Sequence, residues 1–299
     1  MTDMETPTGG AWAAPTNSAD DRRRVYLAIV FCLLSMSSVQ FGAALSTPVM
    51  QELGPFGTTW LRLCFAAVAL MLFVRPPLLS YGKQQWFAAA ALGTAMATMT
   101  LCFFAAIERI PLGLAVAIDF LGPLTVATIF GGAGWRLLCP AVAAAGVLCL
   151  SWDGSAWVGD TLGVLFALGA AAGWGSYIVL MKQAGQQFTG LEGLSVSLLF
   201  AALVATPFGL HQAALGLSPE LAVMTGLLAL LVPLLPYALE FVALRWMKAS
   251  AFGILMSLEP AIGAGAGFIV LGQALTPSQM LGVALVITAS AAGTMSSQT

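Results

Sequence analysis

Four ionisable side chains stand inside apolar stretches where a lipid-facing helix carries none: Arg62, Asp119, Glu240 and Glu259. A charge at the centre of a membrane-length segment costs about 2.5–3.5 kcal/mol by insertion scales, so such a group faces a bundle interior or a water-filled cavity and marks a candidate site. Glu240 and Glu259 lie between Pro233 and Pro260, in PLLPYALEFVALRWMKASAFGILMSLEP, two apolar runs joined by a basic turn from Arg245 to Lys248. Pro233 and Pro236 interrupt the first run; they free backbone carbonyls that lipid cannot satisfy, which directs this segment toward protein or a cavity. The stretch Ile107–Pro123, IERIPLGLAVAIDFLGP, repeats the plan with a polar turn, a small-residue helix, the central acid Asp119 and a Gly-Pro step. Two chemistries fit. A buried carboxylate can exchange a proton. Acids with an arginine also suit a zwitterion, the carboxylates taking an ammonium and the guanidinium a carboxylate. Gln40, Trp174 and Tyr237 could line the same cavity, although inter-helix hydrogen bonds and packing account for them equally well. Glu240 could instead snorkel to an interface, and Arg62 could be the fixed partner of one acid.

The elements that must hold these groups are membrane helices. Of 299 residues, 59% are hydrophobic and only 8% charged, against about 25% charged in soluble domains. A span needs about 20 apolar residues. The sequence predicts an all-α polytopic membrane protein with ten transmembrane helices, at 25–45, 56–74, 86–106, 110–130, 136–151, 161–181, 193–212, 221–243, 248–271 and 277–295. On that reading Asp119 and Glu259 lie near the middles of helices four and nine. Residues 1–24, rich in Thr, Pro, Gly and Ser, read as a disordered cytoplasmic tail. Arg22–Arg24, Arg75, Lys83, Arg136, Lys182, Arg245 and Lys248 fall on one side of this topology and only Arg109 on the other, which puts both termini in the cytoplasm.

The halves 25–151 and 161–295 repeat. A shift of about 137 residues lays Pro123 on Pro260 and Ala106-Ile107 on Ala243-Leu244. Five helices per unit is odd, so the second unit enters the membrane upside down; inverted repeats place a site near the midplane and support alternating access. The plain alternative is a duplication kept for folding. Gly169 with Gly173, and Gly263 with Gly267, mark close helix packing.

Other classes fare poorly. A net charge of −2 argues against a nucleic-acid partner. The five cysteines lie in apolar runs without ligand spacing, and the one histidine, His211, lies at a helix end. No HExxH or P-loop motif is present, so neither an enzyme nor ATP drive is expected, nor any cofactor or metal.

The stretches TTWLRL, IPLGLAVAIDFLGPL, LPYALEFVAL and FGILMSLEPAIGA carry a resemblance. The chain resembles the EamA-type drug/metabolite transporter superfamily, and most closely its threonine/homoserine exporter group, where PLGxAVAxEFxGP and a second-half SxEP recur. The resemblance implies efflux of small neutral amino acids across the bacterial inner membrane, coupled to proton entry. Arg62, Glu240 and Glu259 carry over by motif; Asp119 stands where the group tends to have glutamate. The expected partners are an amino-acid substrate, protons and the lipid bilayer, with an oligomer left open. A multidrug exporter of aromatic cations and a non-transporting scaffold or sensor are the alternatives.

Overall fold

The structure is a computed structural model, which describes residues 19–131, 138–152, 160–188, 191–247, 252 and 255–296. The helices are α1 (Ala19–Val74), α2 (Lys83–Ile107), α3 (Leu112–Asp119), α4 (Leu121–Gly131), α5 (Leu138–Leu150), α6 (Thr161–Gly185), α7 (Glu192–Gly216), α8 (Pro219–Ala229), α9 (Leu235–Trp246), α10 (Glu259–Leu271) and α11 (Pro277–Ser296), with a π-type turn Leu230–Leu234 between α8 and α9.

At 1.5 Å per residue, the 56 residues of α1 would measure about 84 Å if straight, far beyond the roughly 30 Å of a bilayer core. Gly54 divides α1 into two limbs. It adopts φ 69° and ψ 162°, and Pro55 follows with no N–H to continue the ladder. A side chain on Gly54 would be strained by that φ and would also meet Gln212 Oε1 at 2.5 Å. That oxygen instead accepts from the N–H of Gly57 at 2.9 Å, near the start of the second limb. The α1 stretch Arg23–Val74, α2, α6 and α7 are each long and apolar enough to cross a membrane, with mean hydropathy 1.8–1.9.

Prolines set where α3 ends and where α10 begins. A helical carbonyl needs the N–H four residues on, and proline has none. Pro123 therefore leaves the carbonyl of Asp119 without its ordinary helical donor, and α3 ends there. Pro260 does the same for Met256, and α10 begins at Glu259 after a turn at Ser257 and Leu258. Asp119 and Glu259, expected in mid-helix, thus stand at helix breaks. The sequence-predicted span over 248–271 is described from 255 onward, apart from Phe252. α1 begins at Ala19, inside the stretch 1–24 read as a tail.

α2 packs between α6 and α7. α1 lies against α7 to α10, α3 against α6 and α10, and α5 against α11, so helices from each half interleave with the other. The close approaches rely on glycine. A Cβ on Gly122 would fall 2.1 Å from the carbonyl oxygen of Ala171, and one on Gly173 2.7 Å from the backbone nitrogen of Met99. Gly173 and Gly263 act within this one chain, Gly263 against Val116. The outer face is apolar: Phe73, Phe87, Leu215 and Ile269 are each more than two-thirds exposed. Such a belt suits lipid.

Candidate functional site

A cavity of about 500 Å³ lies inside the bundle, and six of the seven side chains singled out from the sequence line it: Gln40, Arg62, Asp119, Trp174, Glu240 and Glu259. The side chain of Tyr237, in α9, lies outside the described residues. A volume of this size is ordinary for a small-molecule site. The wall is mainly apolar and aromatic. Trp174 packs edge-on against Phe120, the residue between α3 and α4, with ring centroids 5.4 Å apart.

Arg62 is 2% exposed. Its seat follows from the prolines opposite. Pro236 cannot supply the helical N–H that Val232 would accept, and Val232 itself is extended at φ −148° and ψ 115°. Arg62 Nη2 donates to that carbonyl at 3.1 Å. Leu235 N–H bonds back to Leu230 rather than Leu231, and the freed Leu231 carbonyl accepts from Ser38 Oγ at 2.7 Å. Arg62 Nη1 donates to Ser46 Oγ at 3.3 Å, and the guanidinium carbon sits 4.3 Å from the centroid of Phe104. Among the described residues the one ion pair within 4 Å is Arg109 with Asp160 at 3.8 Å, on the surface. Arg62 is thus held by neutral groups and not by one of the acids, and its Nε is buried without a partner.

The three acids differ in their surroundings. Glu240 accepts from Ser35 Oγ at 2.6 Å and lines the cavity. Glu259, 5% exposed, accepts on Oε1 from Gln40 Nε2 at 3.0 Å, and its Oε2 has no partner. Asp119, 8% exposed, has an unpartnered Oδ1. Buried polar atoms are nearly always satisfied, so the orphan oxygens of Asp119 and Glu259 and the orphan Nε of Arg62, all on residues that line one cavity, single it out as the candidate site.

Sequence reasoning missed Thr59, Ser35, Ser46 and Phe104. Thr59 lines the cavity one turn from Arg62, with a buried and unpartnered hydroxyl. The Thr-Thr-Trp-Leu-Arg spacing could have revealed it, since i and i+3 share a helix face. The serines look like any small polar residue until the opposite helix is in place.

An apolar helical bundle around a cavity with buried charge is the architecture of a polytopic membrane transporter. The EamA-like transporter family matches residues 161–292. The threonine/homoserine exporter RhtA of Escherichia coli (strain K12) is 36% identical over 275 residues, covering 91% of this chain and 92% of the exporter. RhtA of Salmonella typhimurium (strain LT2) gives the same values. A solved crystal structure aligns with TM-score 0.55 at 18% identity over 90% of this chain and 98% of the other, a likeness of fold alone. The chain belongs to the EamA-type transporter family, in the group near the RhtA exporters. It is a multi-pass protein of the bacterial inner membrane.

Proposed function

We propose that this protein is a secondary active exporter of small neutral amino acids of the threonine and homoserine kind, driven by proton antiport through alternating access. The observation that carries the reading is one cavity lined by Arg62, Asp119, Glu240 and Glu259 together, in a chain 36% identical to exporters named for threonine and homoserine. In this scheme ten spans form two inverted five-helix repeats, 25–151 and 161–295, with both termini cytoplasmic.

The cavity lining reaches Met181 near the end of α6 and Phe252 beyond α9, beside the loops that carry most of the basic residues. At the other end Phe103, Phe104, Ile107 and Ile110 pack into a continuous apolar cluster. That asymmetry supports an inward-open state. Substrate enters from the cytoplasm, its ammonium meets Glu259 or Asp119, and its carboxylate meets the free edge of Arg62. The halves rock, and a proton arriving from outside takes the acid and displaces the substrate. One proton moving through 100 mV supplies about 2.3 kcal/mol, enough for roughly a fifty-fold gradient of a neutral zwitterion.

The test is threonine efflux from cells that express the wild-type protein or Glu259→Gln at matched levels. The scheme expects efflux to collapse in the variant; normal efflux would refute it.

A further inference from the structure

We infer that Gln40 is a specificity-determining residue: its Oε1, with Asp119 and Glu259, forms a three-acceptor claw that selects a primary ammonium over N-methylated and quaternary amines. The biological ligand rests on the amino-acid reading above, while the chemistry of the claw does not.

Four oxygens on residues that line the cavity are buried without a hydrogen-bond partner: Gln40 Oε1, Asp119 Oδ1, Glu259 Oε2 and Thr59 Oγ1. The last is a hydroxyl that can donate as well as accept, one turn from Arg62, and the other three serve as acceptors. Gln40 is 2% exposed. Its amide is oriented by the bond from Nε2 to Glu259 Oε1 at 3.0 Å. Turning the amide over would set two acceptors face to face against an ionised Glu259, so Oε1 stays on the side away from that bond. The turns that carry the three groups abut. A Cβ on Gly263, one turn after Glu259, would lie 3.2 Å from Gln40 Oε1 and 2.8 Å from Val116 Cγ2. Val116 is itself one turn before Asp119. The claw is thus built from the first limb of α1, the end of α3 and the start of α10.

A primary ammonium has three N–H donors and no acceptor, which matches three orphan acceptors. Each N-methyl group removes a donor and leaves one buried acceptor unsatisfied, a loss of about tenfold in affinity. A quaternary amine supplies none. A cavity that merely attracts cations by charge would take methylated and unmethylated amines alike, and would favour the quaternary forms on its aromatic wall.

The experiment measures binding to purified full-length protein in detergent. The probes are L-threonine, N-methyl-L-threonine and N,N,N-trimethyl-L-threonine, with ethylammonium and tetramethylammonium as fragments. The expected result is about tenfold weaker binding on the first methylation and no binding of the trimethyl form. In Gln40→Leu the threonine to N-methylthreonine ratio shrinks to under about threefold, because the unmatched acceptor is gone. That ratio is taken within one variant and does not depend on its folded fraction. Gly263→Ala, which sets a methyl against Oε1, shrinks it in the same direction with Gln40 present. Equal binding of methylated and unmethylated threonine to wild type, or an unchanged ratio in Gln40→Leu, overturns the claw and leaves the exporter reading standing. Discrimination between ethylammonium and tetramethylammonium without any threonine binding keeps the claw and overturns the amino-acid reading. No binding by any probe overturns both.

Discussion

Replacing Arg62 by leucine separates a structural arginine from a substrate-binding one. The carbonyl of Val232 loses the Nη2 donor at 3.1 Å, and Pro236 has no N–H to take its place, a loss of about 1–3 kcal/mol. Phe104 loses the guanidinium 4.3 Å above its ring, worth up to about 2 kcal/mol when desolvated. Ser46 keeps its 2.7 Å bond to the Gly42 carbonyl and loses little. Against these stands the removal of a buried charge with no carboxylate within 4 Å, whose effective desolvation cost is itself on the order of several kcal/mol. The two sides nearly cancel, and Arg62→Leu should melt within a few degrees of wild type. Arg62→Lys keeps the charge and its desolvation but gives up the planar fork that serves Val232 and Ser46 together. It should therefore be the less stable variant, by about 1–3 kcal/mol, which reverses the order expected of a conservative change. Thermal unfolding in detergent reads stability, and threonine release from proteoliposomes, normalised to folded protein, reads function. Export should be lost in Arg62→Leu despite its stability. A leucine variant that exports at the wild-type rate per folded molecule would refute Arg62 as the carboxylate-binding group.

Three further outcomes follow from the same geometry. Asp119→Asn should cut gradient-driven efflux at least about tenfold, whereas Asp119→Glu, which keeps the charge, should cost less; equal loss in both would mean that shape and not charge matters there. Gly122→Ala would drive a methyl to 2.1 Å from the Ala171 carbonyl oxygen, and thermal unfolding should show an overpacking loss of about 1–3 kcal/mol or more. Outside the spans, Tyr81 donates to Glu192 at 3.1 Å, and burial followed by that bond pushes its hydroxyl from the usual 10 up to about 12. A raised folded value means that this contribution is fully present below pH 10 and is lost as pH rises toward about 12; the stability difference between wild type and Tyr81→Phe should shrink over that window, and a constant difference would contradict the assignment.

Much of the site was legible because membrane chains are so sparing with charge. Arg62, Asp119, Glu240 and Glu259 stood out against apolar runs, and all four line one cavity. Pro233 and Pro236, ahead of Glu240, likewise announced an interrupted helix, since backbone chemistry is local. What depends on register between distant helices was not legible. Arg62 was weighed as the partner of an acid, yet it holds the Val232 carbonyl, a group freed by a proline 174 positions further along the chain. Asp119 and Glu259 were read as mid-helix because their segments are continuous in hydropathy, whereas Pro123 and Pro260 end or start the hydrogen-bonded ladder beside them. Ser35 carries no signal of its own, and only Glu240 opposite gives it a role; Thr59 was open to reading from its i, i+3 spacing to Arg62.

The most direct test of the account is labelled threonine release from proteoliposomes containing the purified protein, with and without an imposed proton gradient. The account predicts release that accelerates when protons can flow opposite to the amino acid, that homoserine competes for, and that fails in Glu259→Gln. Release indifferent to the gradient, or unchanged in that variant, would contradict proton-coupled export through this cavity.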